Sequence, residues 1–194
     1  LEDFFVDLKE PKFRAKQLLK WIHQKGVLDF NIMTDFNKDL RKKLSSVAFI
    51  EPPKIHQVHS SDEGTIKYVI ELNSGSMVEM VIIPEKNRRT LCVSSQAGCA
   101  LQCTFCATGA QGFDQNLESH EIIGQLWLAN FNQNNTKPIT NVVFMGMGEP
   151  LLNYDSVIES AKIMKDQLSY GLSRKRITIS TSGIVPNINK LSKE

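Results

Sequence analysis

The sequence predicts an α/β fold in which a small basic helical segment and a short antiparallel β segment precede strand–loop–helix units built on a parallel sheet. Three observations carry this. Apolar residues recur at helical spacing near the N-terminus, alternate with a period of two from about residue 54, and from residue 91 arrange as short apolar strands, each followed by a loop and a helix. The boundaries expected are 1–48, 49–90 and 91–194. The 194 residues are 41% hydrophobic and 23% charged with a net charge of +2, enough for one large or two small domains. No apolar run approaches the length that spans a bilayer, and Leu1 opens no basic, apolar and small-residue leader, so the cytoplasm is the expected compartment. Asn134-Asn135-Thr136 fits a glycosylation sequon, which a reduced compartment makes accidental.

Residues 11–44 carry nine cations against Asp29, Asp35 and Asp39, leaving that segment at +6. Pro11 suits a first turn, Ala15, Leu18, Leu19 and Ile22 make one apolar face, and Gly26 suits a C-terminal cap. A second helix is expected from Thr34, with Phe36, Leu40 and Leu44 inward and Arg41, Lys42 and Lys43 in its last turn, where cations suit the helix dipole. Such a cluster is either an ordinary solvated face or a phosphate-binding one.

Ile66, Tyr68, Ile70 and Leu72 alternate with Lys67, Val69 and Glu71, and Val78, Met80 and Ile82 alternate with Met77, Glu79, Val81 and Ile83. Ser61-Asp62-Glu63-Gly64 and Asn73-Ser74-Gly75-Ser76 are the expected turns of this antiparallel sheet. Glu79 is a lone carboxylate in an apolar strand, the pattern of a solvent-facing or edge residue.

The strands of the βα units are expected at residues 91–95, 141–145 and 176–180, with helices at 118–130 and 155–168 and another starting near Pro186. The first of these helices should turn Ile122, Ile123, Leu126 and Trp127 inward. Right-handed crossovers place the three strand C-termini on one side, where parallel sheets bind their ligands. There the loop after Gly98, the Gly146-Met147-Gly148-Glu149-Pro150 turn and Ser180 should meet. The two glycines allow close approach of a ligand, and Glu149 presents a carboxylate.

Cys99, Cys103 and Cys106 stand at spacings of four and three, and only Cys92 lies outside that loop. Closely spaced soft thiolates select an iron–sulfur cluster or zinc. Three protein ligands leave one iron of a cuboidal cluster open, and the amino and carboxylate groups of S-adenosylmethionine can chelate it, which points to radical chemistry. Zinc with His120 as fourth ligand is the alternative, although no second cysteine pair follows.

These residues resemble a known family, the radical S-adenosylmethionine RNA methyltransferases acting on C2 of adenine, of the RlmN type. The resemblance rests on residues 91–99, 103–109, 111–113, 144–153 and 180–183, and on Lys12-Phe13-Arg14-Ala15-Lys16-Gln17 in the basic helix. It implies a partial radical-SAM (βα) barrel and a [4Fe–4S] cluster on Cys99, Cys103 and Cys106. It implies S-adenosylmethionine held by the backbone of Phe105, by Gly148 and Glu149, and by Ser180. Glu79 becomes the proton acceptor, and Cys92 the thiol that forms a transient disulfide with a methylated cysteine.

The implied partners are 23S rRNA and tRNA, bound through the basic helices, and an electron donor such as flavodoxin. A monomer when full length, without membrane attachment, is expected. The methyl-carrying cysteine is not among these residues, so the 194-residue chain alone is expected to be inactive. Two other readings stay open: methylation at C8 of adenine, and a non-catalytic RNA-binding or cluster-holding fragment.

Overall fold

Three helices, α1 (Glu2–Asp7), α2 (Phe13–His23) and α3 (Lys38–Val47), form most of the N-terminal region of the computed structural model, which describes residues 1–132 and 137–193. The Asn134-Asn135-Thr136 tripeptide lies outside the described residues. The chain divides into one unit of Leu1–Glu51 with Met164–Gly171 and a second of Pro52–Ile163 with Leu172–Glu194.

In the first unit Phe5, Leu18, Trp21, Phe30, Met33, Phe36, Leu40 and Leu44 make a single apolar core. Leu19 and Ile22, expected on the inner face of α2, are half-buried. Trp21 goes inside instead, because its indole N–H finds the Asp35 carboxylate at 3.1 Å. Helix α3 begins at Lys38 rather than Thr34, since the Asn37 side chain accepts the Leu40 N–H at 2.8 Å and caps it there. Arg41, Lys42 and Lys43 therefore fall in mid-helix. Arg41 donates to the Asn31 carbonyl and Lys43 to that of Leu8 at 2.6 Å, so the expected interaction with the helix dipole gives way to tertiary bonds. Arg14 is likewise bound inside the unit, to Gln17 and the Asp35 carbonyl, both at 2.9 Å. Lys12, Lys16 and Lys20 remain exposed at four-residue spacing along one stripe of α2.

The returning segment adds Tyr170, whose hydroxyl lies 3.0 Å from His23 Nδ1. Burial lowers the His23 pKa to about 4 from 6.5 and raises that of Tyr170. The unfolded chain takes up this proton at a pH where the folded unit refuses it. Stability is thus complete above pH 6.5 and declines as the pH falls toward 4, by an amount approaching 3 kcal/mol in order of magnitude, about 1.4 kcal/mol per pKa unit. Protection factors of the α2 amides, taken relative to the intrinsic exchange rate at each pH, should fall over that pH window, and His23→Gln should flatten the dependence.

The second unit is built on a six-stranded sheet of order β1-β2-β3-β4-β7-β8, with a separate ribbon of β5 and β6. The strands are β1 (Lys54–Ser60), β2 (Ile66–Glu71), β3 (Met77–Pro84), β4 (Arg89–Cys92), β5 (Gln96–Gly98), β6 (Phe113–Asn116), β7 (Asn141–Phe144) and β8 (Ile177–Ile179). Strands β1 to β4 pair antiparallel, while β4, β7 and β8 run parallel. Because Ile82 pairs with Leu91, the antiparallel segment and the βα strands share one sheet.

Register assigns the two faces. Tyr68, Ile70, Val78, Met80, Ile82, Leu91, Val142 and Phe144 are buried on one. Lys67, Glu79, Val81, Cys92 and Val143 share the other, which is open and half-buried.

Helix α5 (Ser119–Phe131) follows α4 (Ala107–Gln111) and opens with a reciprocal capping box of Glu118 and Glu121. Ile122, Ile123 and Leu126 are buried as expected. Trp127 is half-buried against Phe131, at 5.3 Å between ring centroids, and Glu121 and Gln125 occupy the interior instead. Both find partners there, described below for Gln125. Helices α6 (Tyr154–Lys165) and α7 (Val185–Leu191) complete the unit, and Leu151, Tyr154 and Ile158 form a satellite cluster with Ile179, Ile184 and Leu191. Among the described residues no helix is long and apolar enough to cross a membrane.

Candidate cofactor site at the strand ends

The cysteine loop is an excursion closed at its base by the β5–β6 ribbon. The Cys99 N–H donates to the Gly112 carbonyl at 2.9 Å. A Cβ on Gly98 would sit 2.0 Å from that same oxygen, and the residue has φ +70°, so the position admits glycine alone. The Cys106 N–H reaches the Cys103 carbonyl at 3.1 Å, folding the loop back on itself.

Cys106 stands immediately before α4. The Gly109 N–H, followed by Thr108, bonds to its sulfur and holds the thiol pKa below its ordinary value. At the other end of the loop the Leu101 N–H points at Cys99 Sγ from 3.4 Å. Amide N–H groups directed at sulfur stabilise thiolate, the form that binds iron. This donor set therefore fits an iron–sulfur cluster held by Cys99, Cys103 and Cys106.

Phe105, between the last two cysteines, is 91% exposed. His120, the alternative zinc ligand, pairs with Glu118 at 3.2 Å. Among the described residues no three His, Cys, Asp or Glu side chains gather so as to hold a metal ion, the three loop cysteines included. All four cysteines are free thiols, so no disulfide joins them, and the one implied for Cys92 has no support within these residues.

Backbone bonds stitch the strand-end loops together. The Met147 carbonyl accepts the N–H groups of Ser95 and Gln96 at 2.8 and 3.2 Å, and the Gly146 N–H donates to Val93 at 3.1 Å. Gly148 has φ +98°, and a Cβ there would lie 2.5 Å from that of Gln96. The freedom of this glycine, expected to admit a ligand, is used to press the loop onto Gln96. The Ser180 hydroxyl donates to the Phe144 carbonyl at 2.9 Å, tying the end of β8 to β7.

Glu149 is only 4% exposed. Its Oε1 accepts the Leu151 N–H at 3.0 Å, and its Oε2 accepts both the N–H and the hydroxyl of Ser182 at 2.8 Å. Burial alone would raise its pKa, but the bonds from Ser182, Thr181 and Leu151 together outweigh that and hold it below the ordinary value. The carboxylate is thus a clamp between the loops after β7 and β8.

Glu79 and Cys92 lie on the open face of the sheet. Val81 pairs with Cys92, which places Glu79, two residues along β3, on the same face. Burial raises the Cys92 thiol pKa, partly countered by the Met145 backbone. The Glu79 carboxylate, 44% exposed, pairs with Lys67 at 3.0 Å.

Ser94 holds this strand to the loop after β7. Its hydroxyl donates to the Glu79 carbonyl at 2.6 Å and accepts the Met147 N–H at 2.9 Å. Gln125 grips both backbone groups of Ser94, at 2.8 and 2.9 Å. A cavity of about 270 Å³ nearby is lined by Met77, Gly98, Phe113, Asp114 and Met147, among others.

The resemblance includes Ser94, Gln96 and Asn153 in its motifs without giving them a role, and sequence reading did not single out Gln125; the Asn153 amide reaches the Ser95 and Leu117 carbonyls at 2.8 and 2.6 Å. The one available signal was polar residues at positions where a helix or strand should be apolar.

Two family descriptions match this chain. The ribosomal RNA large subunit methyltransferase N-terminal domain matches residues 1–50, and the radical SAM superfamily matches residues 93–194. Similar proteins include the dual-specificity RNA methyltransferase RlmN of Pseudomonas putida strain GB-1, 55% identical over 198 positions that cover 100% of this chain and 52% of the relative. That of Alcanivorax borkumensis is 53% identical over 202 positions with the same coverage. A crystal structure of a radical SAM methyltransferase from Sphaerobacter thermophilus superposes with a TM-score of 0.90 at 34% identity, covering 100% of this chain and 57% of that one. The chain spans about half the length of the curated relatives it matches.

Proposed function

The chain belongs to the radical SAM superfamily, and from that premise we propose that it serves an RNA methyltransferase that installs a methyl group on C2 of adenine in 23S rRNA and in tRNA. The observation that carries this reading is the joining of three strand-end loops, through the Met147 carbonyl and the Glu149 carboxylate, beside an open sheet face bearing Glu79 and Cys92. Superfamily membership brings with it a [4Fe–4S] cluster and S-adenosylmethionine. When bound, that pair supplies a carbon radical at an unreactive position.

The roles of the chain's own residues follow. Cys99, Cys103 and Cys106 hold the cluster, and the bonds from Gly109 and Thr108 lower the Cys106 thiol pKa. The backbone at Phe105, whose side chain is exposed, would hold the cofactor's adenine. Gly148 and Glu149 form the wall at its methionine end, with Glu149 fixed by Ser182. Ser180, whose proton is committed to the Phe144 carbonyl, offers its oxygen as an acceptor.

Glu79 takes the proton that leaves C2. Cys92, half-buried on the open face, is the thiol that frees the product from a methylated cysteine outside these residues. The stripe of Lys12, Lys16 and Lys20 makes phosphate contacts, which position RNA without reading its sequence. A cytoplasmic monomer reduced by a flavodoxin-type donor completes the reading, as that compartment preserves the four free thiols.

The test is mass spectrometry of nucleosides from RNA treated with the intact protein, S-adenosylmethionine and a reductant. 2-Methyladenosine is the expected product. 8-Methyladenosine, or unmodified RNA with a loaded cluster, would refute the assignment.

A further inference from the structure

We infer that Lys67 is the positioning residue for Glu79, orienting its carboxylate toward the proton it receives; this rests on the reading of Glu79 as proton acceptor. Lys67 Nζ donates to Glu79 Oε1 at 3.0 Å. The contact follows from register. Val69 lies opposite Glu79 and Val81 opposite Lys67, so Lys67 is the diagonal neighbour of Glu79 on the same face. Cys92, opposite Val81 on the other side, shares that face.

An ion pair as exposed as this one, at 42% and 44%, adds little to stability. Its geometric effect is larger. The backbone at Glu79 is already fixed through the Ser94 hydroxyl on its carbonyl, but a glutamate side chain keeps its own torsional freedom. Anchoring Oε1 removes much of that freedom and leaves Oε2 as the acceptor, the arrangement a general base requires before its acidity matters. One proton passes from the substrate carbon to Oε2, the electron pair of the C–H bond stays with the substrate, and Lys67 keeps its own protons.

The experiment is a double-mutant cycle in the intact protein, comparing Lys67→Met, Lys67→Arg, Glu79→Gln and Lys67→Met with Glu79→Gln, alongside RNA affinity measured without turnover. Lys67→Met should lower kcat by about ten- to a hundredfold, the cost of a misplaced reacting group, with KM and affinity for RNA unchanged and Lys67→Arg recovering most of the rate. Glu79→Gln should cost about 10²- to 10⁴-fold, and adding Lys67→Met to it should cost nothing more.

Weaker RNA binding with kcat intact would make Lys67 a phosphate contact, and additive losses would make it independent of Glu79; either overturns the inference. A Glu79→Gln variant at full rate would remove the reading beneath it. A crippled Glu79→Gln beside a fully active Lys67→Met would remove the Lys67 assignment alone.

Discussion

Replacing Cys103 with alanine strips the iron–sulfur cluster from the protein and leaves the fold in place. Cys103 is half-exposed in a loop and absent from the apolar core, so losing its sulfur opens no cavity. The ribbon bond from Cys99 to Gly112 and the Cys106 turn use backbone groups that alanine retains. Two thiolates cannot hold a cuboidal cluster that already takes only three from the chain. Iron and sulfide content should fall to background while circular dichroism stays unchanged, and S-adenosylmethionine cleavage should cease. A Cys103→Ala protein with its full complement of iron would refute the ligand assignment.

Glu149→Ala should damage both stability and cofactor binding. It leaves the Leu151 N–H and the N–H and hydroxyl of Ser182 without their acceptor, at a position 4% exposed. A buried donor left unpaired costs roughly 1–3 kcal/mol, so the loss should reach about 3 kcal/mol or more. The loop after β8 is then free to leave the loop after β7, and S-adenosylmethionine affinity falls with it. Glu149→Gln keeps one carbonyl oxygen and should lose less. Because the folded carboxyl is more acidic than an ordinary one, the unfolded chain binds its proton first as the pH drops. Its contribution is therefore full above the ordinary range near pH 4.3 and lost as the pH falls through the lower folded value. Urea midpoints of the two variants against the parent protein check the ranking.

Much of this site was legible in the residues because motif chemistry and topology agreed. Cysteine spacing left iron–sulfur or zinc as the choices for the loop, and the placement of apolar strands brought Gly98, Gly146 and Ser180 to one end of a parallel sheet. Period-two alternation also put Glu79 on the side of its strand opposite Val78, Met80 and Ile82. Tertiary partners were what periodicity could not show. Trp21 is inside because Asp35 accepts its indole proton, α3 begins late because Asn37 caps it, and Gln125 displaces Trp127 from the interior because it holds Ser94. The β5–β6 ribbon went unread for a related reason. Three- and four-residue strands carry too little alternation to register, and Gly112, which closes the loop, looks in sequence like any turn glycine.

The central claim, that these residues hold a cluster with one iron left for S-adenosylmethionine, is tested most directly by electron paramagnetic resonance. The protein is reconstituted anaerobically with iron and sulfide, reduced, and measured with and without S-adenosylmethionine. A four-iron signal that changes shape when the cofactor is added is the predicted result. A cluster whose signal ignores S-adenosylmethionine, or a failure of Cys99, Cys103 and Cys106 to assemble one, would contradict it.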